Sequence, residues 1–308
     1  MKNVLKFLWV CFLVTTVGGL GATEYPLILK DDSGTLVTLK NKPIKILSFT
    51  MMSDEILFDL LDSKRFAAVN ALSVDPQVSN VAEKAAKVVR RMEFTVEGVL
   101  SLNPDLVVVA DWSDGAKVQQ IRSLGIPIFL LATPVTVEKI KSQILKLSLL
   151  VDEQEGGLKL IQTMEEKIIA LTTAQKNLTS PLRVMDYNTW GASSGKGTSW
   201  DEMLKLAGLT NGVGELKADL FGQVPISKEI LILQNPDIIF LPSWTYNQEL
   251  TSDTFLNQIL EDPSLQGVEA VKNGRVYVFP ERLKSTISHY LAEGAWELFR
   301  LSYSHKLN

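Results

Sequence analysis

The chain has 308 residues, 46% of them hydrophobic and 21% charged, and a net charge of −4. That length suits two units of about 150 residues, and the ordinary balance excludes disordered and fibrous architectures and the basic surface of a nucleic-acid binder. One Cys and two His exclude a disulfide framework and Cys/His-rich zinc modules.

Lys2 and Lys6 precede an apolar run, Phe7–Val14, too short to span a bilayer, and Gly18, Gly19, Gly21 and Ala22 follow it. Residues 1–22 therefore read as a signal peptide, cut after Gly21 or Ala22. Cys11 lies inside the apolar run behind Leu8-Trp9-Val10, where a lipobox needs small neighbours, so the expected location is the periplasm without a lipid anchor. Cleavage leaves 29 basic against 35 acidic residues, a charge of −6, and no cysteine.

The mature chain opens with Tyr25–Leu39, alternating apolar and polar residues around Asp31-Asp32-Ser33-Gly34, which predicts a hairpin. Ile44–Phe49 predicts a buried strand, Phe49-Thr50-Met51-Met52-Ser53 its end, and Asp54–Leu61 a helix. Strands at Leu106–Ala110 and Ile126–Leu131 continue the alternation, as an α/β fold with a mainly parallel sheet requires. Val135–Val151 and Asp152–Leu178 then predict two helices. The second carries Leu158, Ile161, Met164, Ile168 and Leu171 at helical spacing without a proline. Roughly 25 helical residues span ~35–40 Å, a rod rather than a flexible linker. The expected division is an N-terminal α/β lobe at 23–151, a linker helix at 152–178 and a C-terminal α/β lobe at 179–308.

An internal repeat supports the two lobes. Glu97, Asn103-Pro104-Asp105 and Trp112 recur as Glu229, Asn235-Pro236-Asp237 and Trp244, at a constant offset of 132 positions. Each copy predicts a short helix stopped before Asn-Pro, followed by a buried strand. A second echo pairs Asp54-Glu55-Ile56-Leu57 with Asp201-Glu202-Met203-Leu204, each after a strand (Ile44–Phe49, Leu182–Tyr187).

Ligands of open α/β sheets bind beyond the carboxyl ends of the strands. Those ends carry Phe49, Met51 and Met52; Trp112; Tyr187 and Trp190; Trp244 and Tyr246. Together they predict an aromatic-walled cleft suited to a ligand with a broad planar or apolar face. Arg90, Arg91, Lys196 and Arg282 fall in loops where they would meet carboxylates on that ligand. Gly191-Ala-Ser193-Ser-Gly195-Lys196-Gly-Thr fails as a phosphate loop, because its glycines are one residue too close. It matches the letters of a nucleophile elbow, with His289 downstream, so an exported esterase using Ser193 and His289 is the alternative of a different class. Its helix, however, begins only near Ser199. Two imidazoles, His289 and His305, are too few for a bare transition-metal site.

The ordered set of hairpin, Asp-x-x-Gly turn, Pro43-x-Lys45-Ile46-x-Ser48, Asp54-Glu55-Ile-Leu-Phe, Asn-Pro-Asp-Leu-Val and Lys272-Asn-Gly274-Arg-Val-Tyr resembles the class III substrate-binding proteins of ABC importers. The resemblance covers essentially the whole mature chain. It departs from the family at Lys45, where Arg is usual, and at Leu61-Asp62, where Leu-Gly is usual. It implies two Rossmann-like lobes joined by one long rigid helix, with a ligand cleft between them and no catalysis. It also implies a monomer that delivers an iron–siderophore, a corrinoid or haem to a membrane permease dimer, with no resident cofactor or metal. For haem the candidate axial donors are Met51, Met52, Tyr246 and His289. The resemblance further implies one acidic residue on each lobe that docks to the permease; Glu55 and Glu202 hold those positions.

Overall fold

A computed structural model describes residues 23–178, 180–244 and 251–303. The hairpin is present as β1 (Leu27–Lys30) and β2 (Leu36–Leu39). The N-terminal half continues with β3 (Ile46–Ser48), α1 (Met51–Leu60), β4 (Phe66–Ala68), α2 (Ala82–Ala85), α3 (Val96–Leu102), β5 (Leu106–Ala110), α4 (Gly115–Ser123), β6 (Ile128–Leu131) and α5 (Val137–Leu150). The long helix α6 spans Gln154–Ala174. After it come β7 (Arg183–Asp186), β8 (Ala192–Ser194), α7 (Ser199–Leu206), β9 (Thr210–Asn211), β10 (Gln223–Pro225) and α8 (Lys228–Gln234). The chain closes with β11 (Ile238–Pro242), α9 (Ser252–Glu261), α10 (Glu269–Lys272), β12 (Val276–Phe279), α11 (Glu281–Lys284) and α12 (Leu291–Tyr303).

Two parallel four-stranded sheets result, ordered β4-β3-β5-β6 and β9-β7-β11-β12. The two orders are the same path drawn twice. β8 and β10 form a separate antiparallel pair in the second half. Both sheets are buried on both faces: every residue of β5 and of β11 is buried, as a parallel sheet between helices demands.

The 132-residue repeat has a physical basis. Asn103 and Asn235 end α3 and α8 in the left-handed conformation, at φ 42° and 43°, which Asn tolerates better than most residues. The following Asp then pins the neighbouring first strand. Asp105 Oδ2 accepts from the amides of Ile44 and Lys45 at 3.0 and 2.9 Å, and Asp237 Oδ2 accepts from that of Arg183 at 2.7 Å.

α6 is shorter than the sequence implied, 21 residues or about 31 Å. It is well buttressed. Arg65 fixes its start, donating to the carbonyls of Pro43 (2.6 Å) and Val151 (3.0 Å) and to Glu153 (3.2 Å). Further along, the Trp296 indole donates to the Lys167 carbonyl at 3.0 Å, and Lys167 pairs with Glu293 of α12. Gly157 lets α5 pass close by, since a Cβ there would overlap Ser148.

The first helix starts three residues earlier than expected. Met51, Met52 and Ser53 are its first turn, not a strand-end loop: none of them breaks a helix, and Ser53 Oγ donates back to the Thr50 carbonyl at 3.0 Å. No described helix is long and apolar enough to cross a membrane. The proposed leader, residues 1–22, lies outside the described residues, as does His305.

Candidate ligand cleft and lobe junction

The carboxyl edges of both sheets carry the predicted aromatics, in three different environments. Trp112, two residues past β5, is 68% exposed, and Trp190, in the turn between β7 and β8, is 70% exposed. Water covers most of both indoles, which is costly for so large an apolar surface and normal for one that meets a ligand. Tyr187 and Trp244 are half-buried, Tyr187 stacking on Phe255 with centroids 5.8 Å apart. Burial also raises the Tyr187 hydroxyl pKa. Tyr246 lies outside the described residues.

The first strand end is different. Phe49 is buried against Phe94, 5.0 Å between centroids, and Met52 is 1% exposed in the core. Neither meets a ligand as expected: Phe49, just past β3, packs into the core with Phe94, and the first turn of α1 carries Met52 inward, while Met51 is half-buried at the first position of that helix. Arg90 is exposed. Arg91 is folded back on its own loop, donating to the carbonyl of Val88. Lys196 is exposed, 3.6 Å from Glu215.

Arg282 joins the two halves rather than standing free. Its amide donates to the Gln77 carbonyl (3.1 Å), and its guanidinium donates to Asn80 Oδ1 (2.9 Å). Asn80 Nδ2 returns a bond to the Arg282 carbonyl at 2.7 Å. A cavity of about 240 Å³ lies there, lined by Pro76, Ser79, Asn80, Lys84 and Arg282 among others.

Beside it, α1 meets the segment that leads into α12. Glu55 is 1% exposed, and its Oε2 accepts from Thr286 Oγ1 (2.7 Å) and Ser288 Oγ (2.6 Å) while Oε1 accepts from Asn80 Nδ2 (2.6 Å). Burial pushes its pKa up despite these donors. One turn later, Asp59 Oδ2 binds His289 Nε2 at 2.7 Å and Tyr290 Oη at 2.8 Å, and Lys84 pairs with Oδ1. Burial alone would raise Asp59, yet His289, Lys84 and Tyr290 hold its pKa down at about 2. A permease-docking role for Glu55 is therefore corrected: a carboxylate with three protein partners and no surface has nothing to offer a second protein. Glu202 is half-buried, and its Oε1 accepts from the Val137 amide at 3.2 Å, at the start of α5.

The esterase geometry is absent. Ser193 is a fully buried residue of β8, not the apex of a strand-to-helix turn, and its hydroxyl donates to Asp186 Oδ1 at 2.8 Å. Asp186 also accepts from the Ser194 amide and hydroxyl, both at 2.8 Å, and pairs with Lys284 at 3.0 Å. Burial opposes ionisation of both partners, but each holds the other charged: Asp186 is lowered and Lys284 raised. His289 serves Asp59 instead.

Sequence reasoning missed the lobe-junction residues Asn80, Asp59, Thr286 and Ser288. No periodicity or motif marks them, since their partners lie 25 to 233 positions away.

A model of the periplasmic binding protein family matches residues 46–283, most of the chain. The chain belongs to that family. Among curated binding proteins it is 24% identical over 288 residues to YvrC of Bacillus subtilis, an uncharacterised ABC-transporter substrate-binding lipoprotein, covering 91% of this chain and 86% of YvrC. It is 26% identical over 208 residues to the vitamin B12-binding protein of Vibrio parahaemolyticus, covering 66% and 73% of the two chains. Among solved binding proteins, the molybdate-binding MolA of Haemophilus influenzae superposes with a TM-score of 0.76 at 18% identity, over 91% of this chain and 92% of MolA. The haem-binding RhuT of Roseiflexus sp. RS-1 gives 0.72 at 21%, over 84% and 98%. The solved structures show the two-lobe fold, and membership of the periplasmic binding protein family places the chain in the solute-binding, non-enzymatic class. The family and its ABC-transporter relative imply a small-molecule ligand and a transporter permease as partner.

Proposed function

We propose that this binding protein captures a metal chelate, an iron–siderophore, a corrinoid or haem, between its lobes and hands it to the permease of an ABC importer. The lobes are residues 23–151 and 179–308, with α6 as their spine. Residues 1–22 act as the export signal, and the protein works as a free monomer in the periplasm. The observation that carries the reading is the pair of largely exposed indoles, Trp112 and Trp190, one on the carboxyl edge of each sheet. Two such faces match a broad, partly planar ligand better than a small ion. Vitamin B12-binding relatives point the same way. Tyr187 and Trp244 complete the wall, and exposed Arg90 meets peripheral carboxylates.

The test is a ligand screen on the full chain, read by tryptophan fluorescence with haemin, cyanocobalamin and a ferric siderophore. One of the three is expected to quench saturably. No response to any of them, together with tight binding of free zinc, contradicts the chelate assignment.

A further inference from the structure

α1 and α7 are repeat partners, and so are α5 and α12, which follow the last strand of each sheet. Glu55 on α1 reaches the Thr286–Ser288 segment that leads into α12, and Glu202 on α7 reaches the first amide of α5. Each half thus sends the glutamate of its first helix to the start of the other half's last helix. We propose that Glu55 and Glu202 are paired positioning residues, two reciprocal struts that fix the separation of the lobes and so the aperture of the cleft.

The two struts are unequal. Glu55 is buried, takes two donors across the junction, Thr286 and Ser288, and a third, Asn80, from its own half, and is reinforced across the junction one turn later by Asp59 with His289 and Tyr290. Glu202, half-buried, makes one hydrogen bond across the junction among the described residues; Lys205, one turn beyond the Asp201-Glu202 pair, bonds back to Asp201 instead. The glutamates also differ from their neighbours in what they hold. Asp54 and Asp201, adjacent in sequence, stay within their own halves: Asp54 accepts from Ser73, and Asp201 accepts from the Gly197 amide at 2.9 Å and from Asn211 at 3.2 Å. One acid of each pair secures its own lobe, and the other crosses. Losing Glu55 would take away the carboxylate that the buried Thr286 and Ser288 hydroxyls share, leaving the two only their 3.1 Å contact with each other, a larger loss than that of a half-buried capping contact.

Only the link from aperture to ligand rests on the binding-protein reading; the struts themselves are tested in ligand-free protein. Spin labels at Ser101→Cys and Leu233→Cys, exposed and repeat-equivalent on α3 and α8, report the distance between lobes in a Cys11→Ser background. A narrow distribution is expected. Glu55→Ala and the donor-side double variant Thr286→Val, Ser288→Ala should each make it roughly twice as broad, with a smaller broadening for Glu202→Ala. Glu55→Gln, which keeps the shape and an acceptor, should restore most of the narrow distribution. A merely structural role lowers the melting temperature without moving the distribution of the molecules that remain folded. Unchanged distributions in folded Glu202→Ala and in the donor-side variant overturn the proposal, whatever the ligand screen shows.

Discussion

Asp54 and Glu55 are neighbouring carboxyls, both buried on α1, and burial dominates the chemistry of each. Asp54 is pushed up to about 7 by desolvation, with the Glu55 charge adding to the rise and the Ser48 and Ser73 hydroxyls only partly offsetting it. In the unfolded chain it titrates near its ordinary value of 3.8. Between those two values the folded state binds the extra proton, so this group's contribution to stability falls as pH rises from 3.8 to 7. Asp54→Asn should therefore raise the melting temperature by several degrees at pH 8 and by much less at pH 5; equal shifts at both would contradict the assignment. Asp59 runs the other way: held near 2, it stabilises above its unfolded value of 3.8, and that share is lost as pH falls through 2. The Asp186–Lys284 pair makes a third case. Lys284→Ala strands a buried carboxylate and should cost about 3–5 kcal/mol in denaturant unfolding, whereas Lys196→Ala, on an exposed pair, should cost almost nothing.

Helix ends and helix approaches decide how faithfully sequence translates into this fold. The Asn-Pro-Asp copies were readable because each residue has a local duty: a left-handed helix end, a stop, and a clamp on the adjacent strand. Asn103→Gly should be tolerated, and Asn103→Ala should cost about 1 kcal/mol, since a Cβ branch without the Asn carboxamide disfavours that conformation. The start of α1 was not readable. Met51 and Met52 are apolar in a strand-like run, and only packing reveals that Met52 joins the core while Trp112 and Trp190 stay out of it. The polar junction was hidden for a different reason, because its partners come together only after both sheets form. Close helix approach is equally silent in sequence. At Gly157 a Cβ would meet Ser148, and at Gly294 one would meet Met203 Sδ with the Leu283 carbonyl 3.1 Å away. Gly157→Ala should destabilise by about 1–3 kcal/mol, measured by urea unfolding.

The assembled molecule is two copies of one sheet path, held by a buttressed helix on one side and by a polar junction on another. Such a frame resists wide hinging, so ligand capture should change the radius of gyration by no more than about 1 Å; a drop of several ångströms in solution scattering would show that the lobes swing freely. The central claim is that indoles on the two sheet edges grip a chelate. It is tested most directly by calorimetric titration of the ligand that quenches best into the wild type and into Trp112→Ala, Trp190→Ala. The account predicts a loss of at least about tenfold in affinity for the double variant with an unchanged melting temperature, since both rings are largely in water before binding. Equal affinities in the two proteins would contradict it.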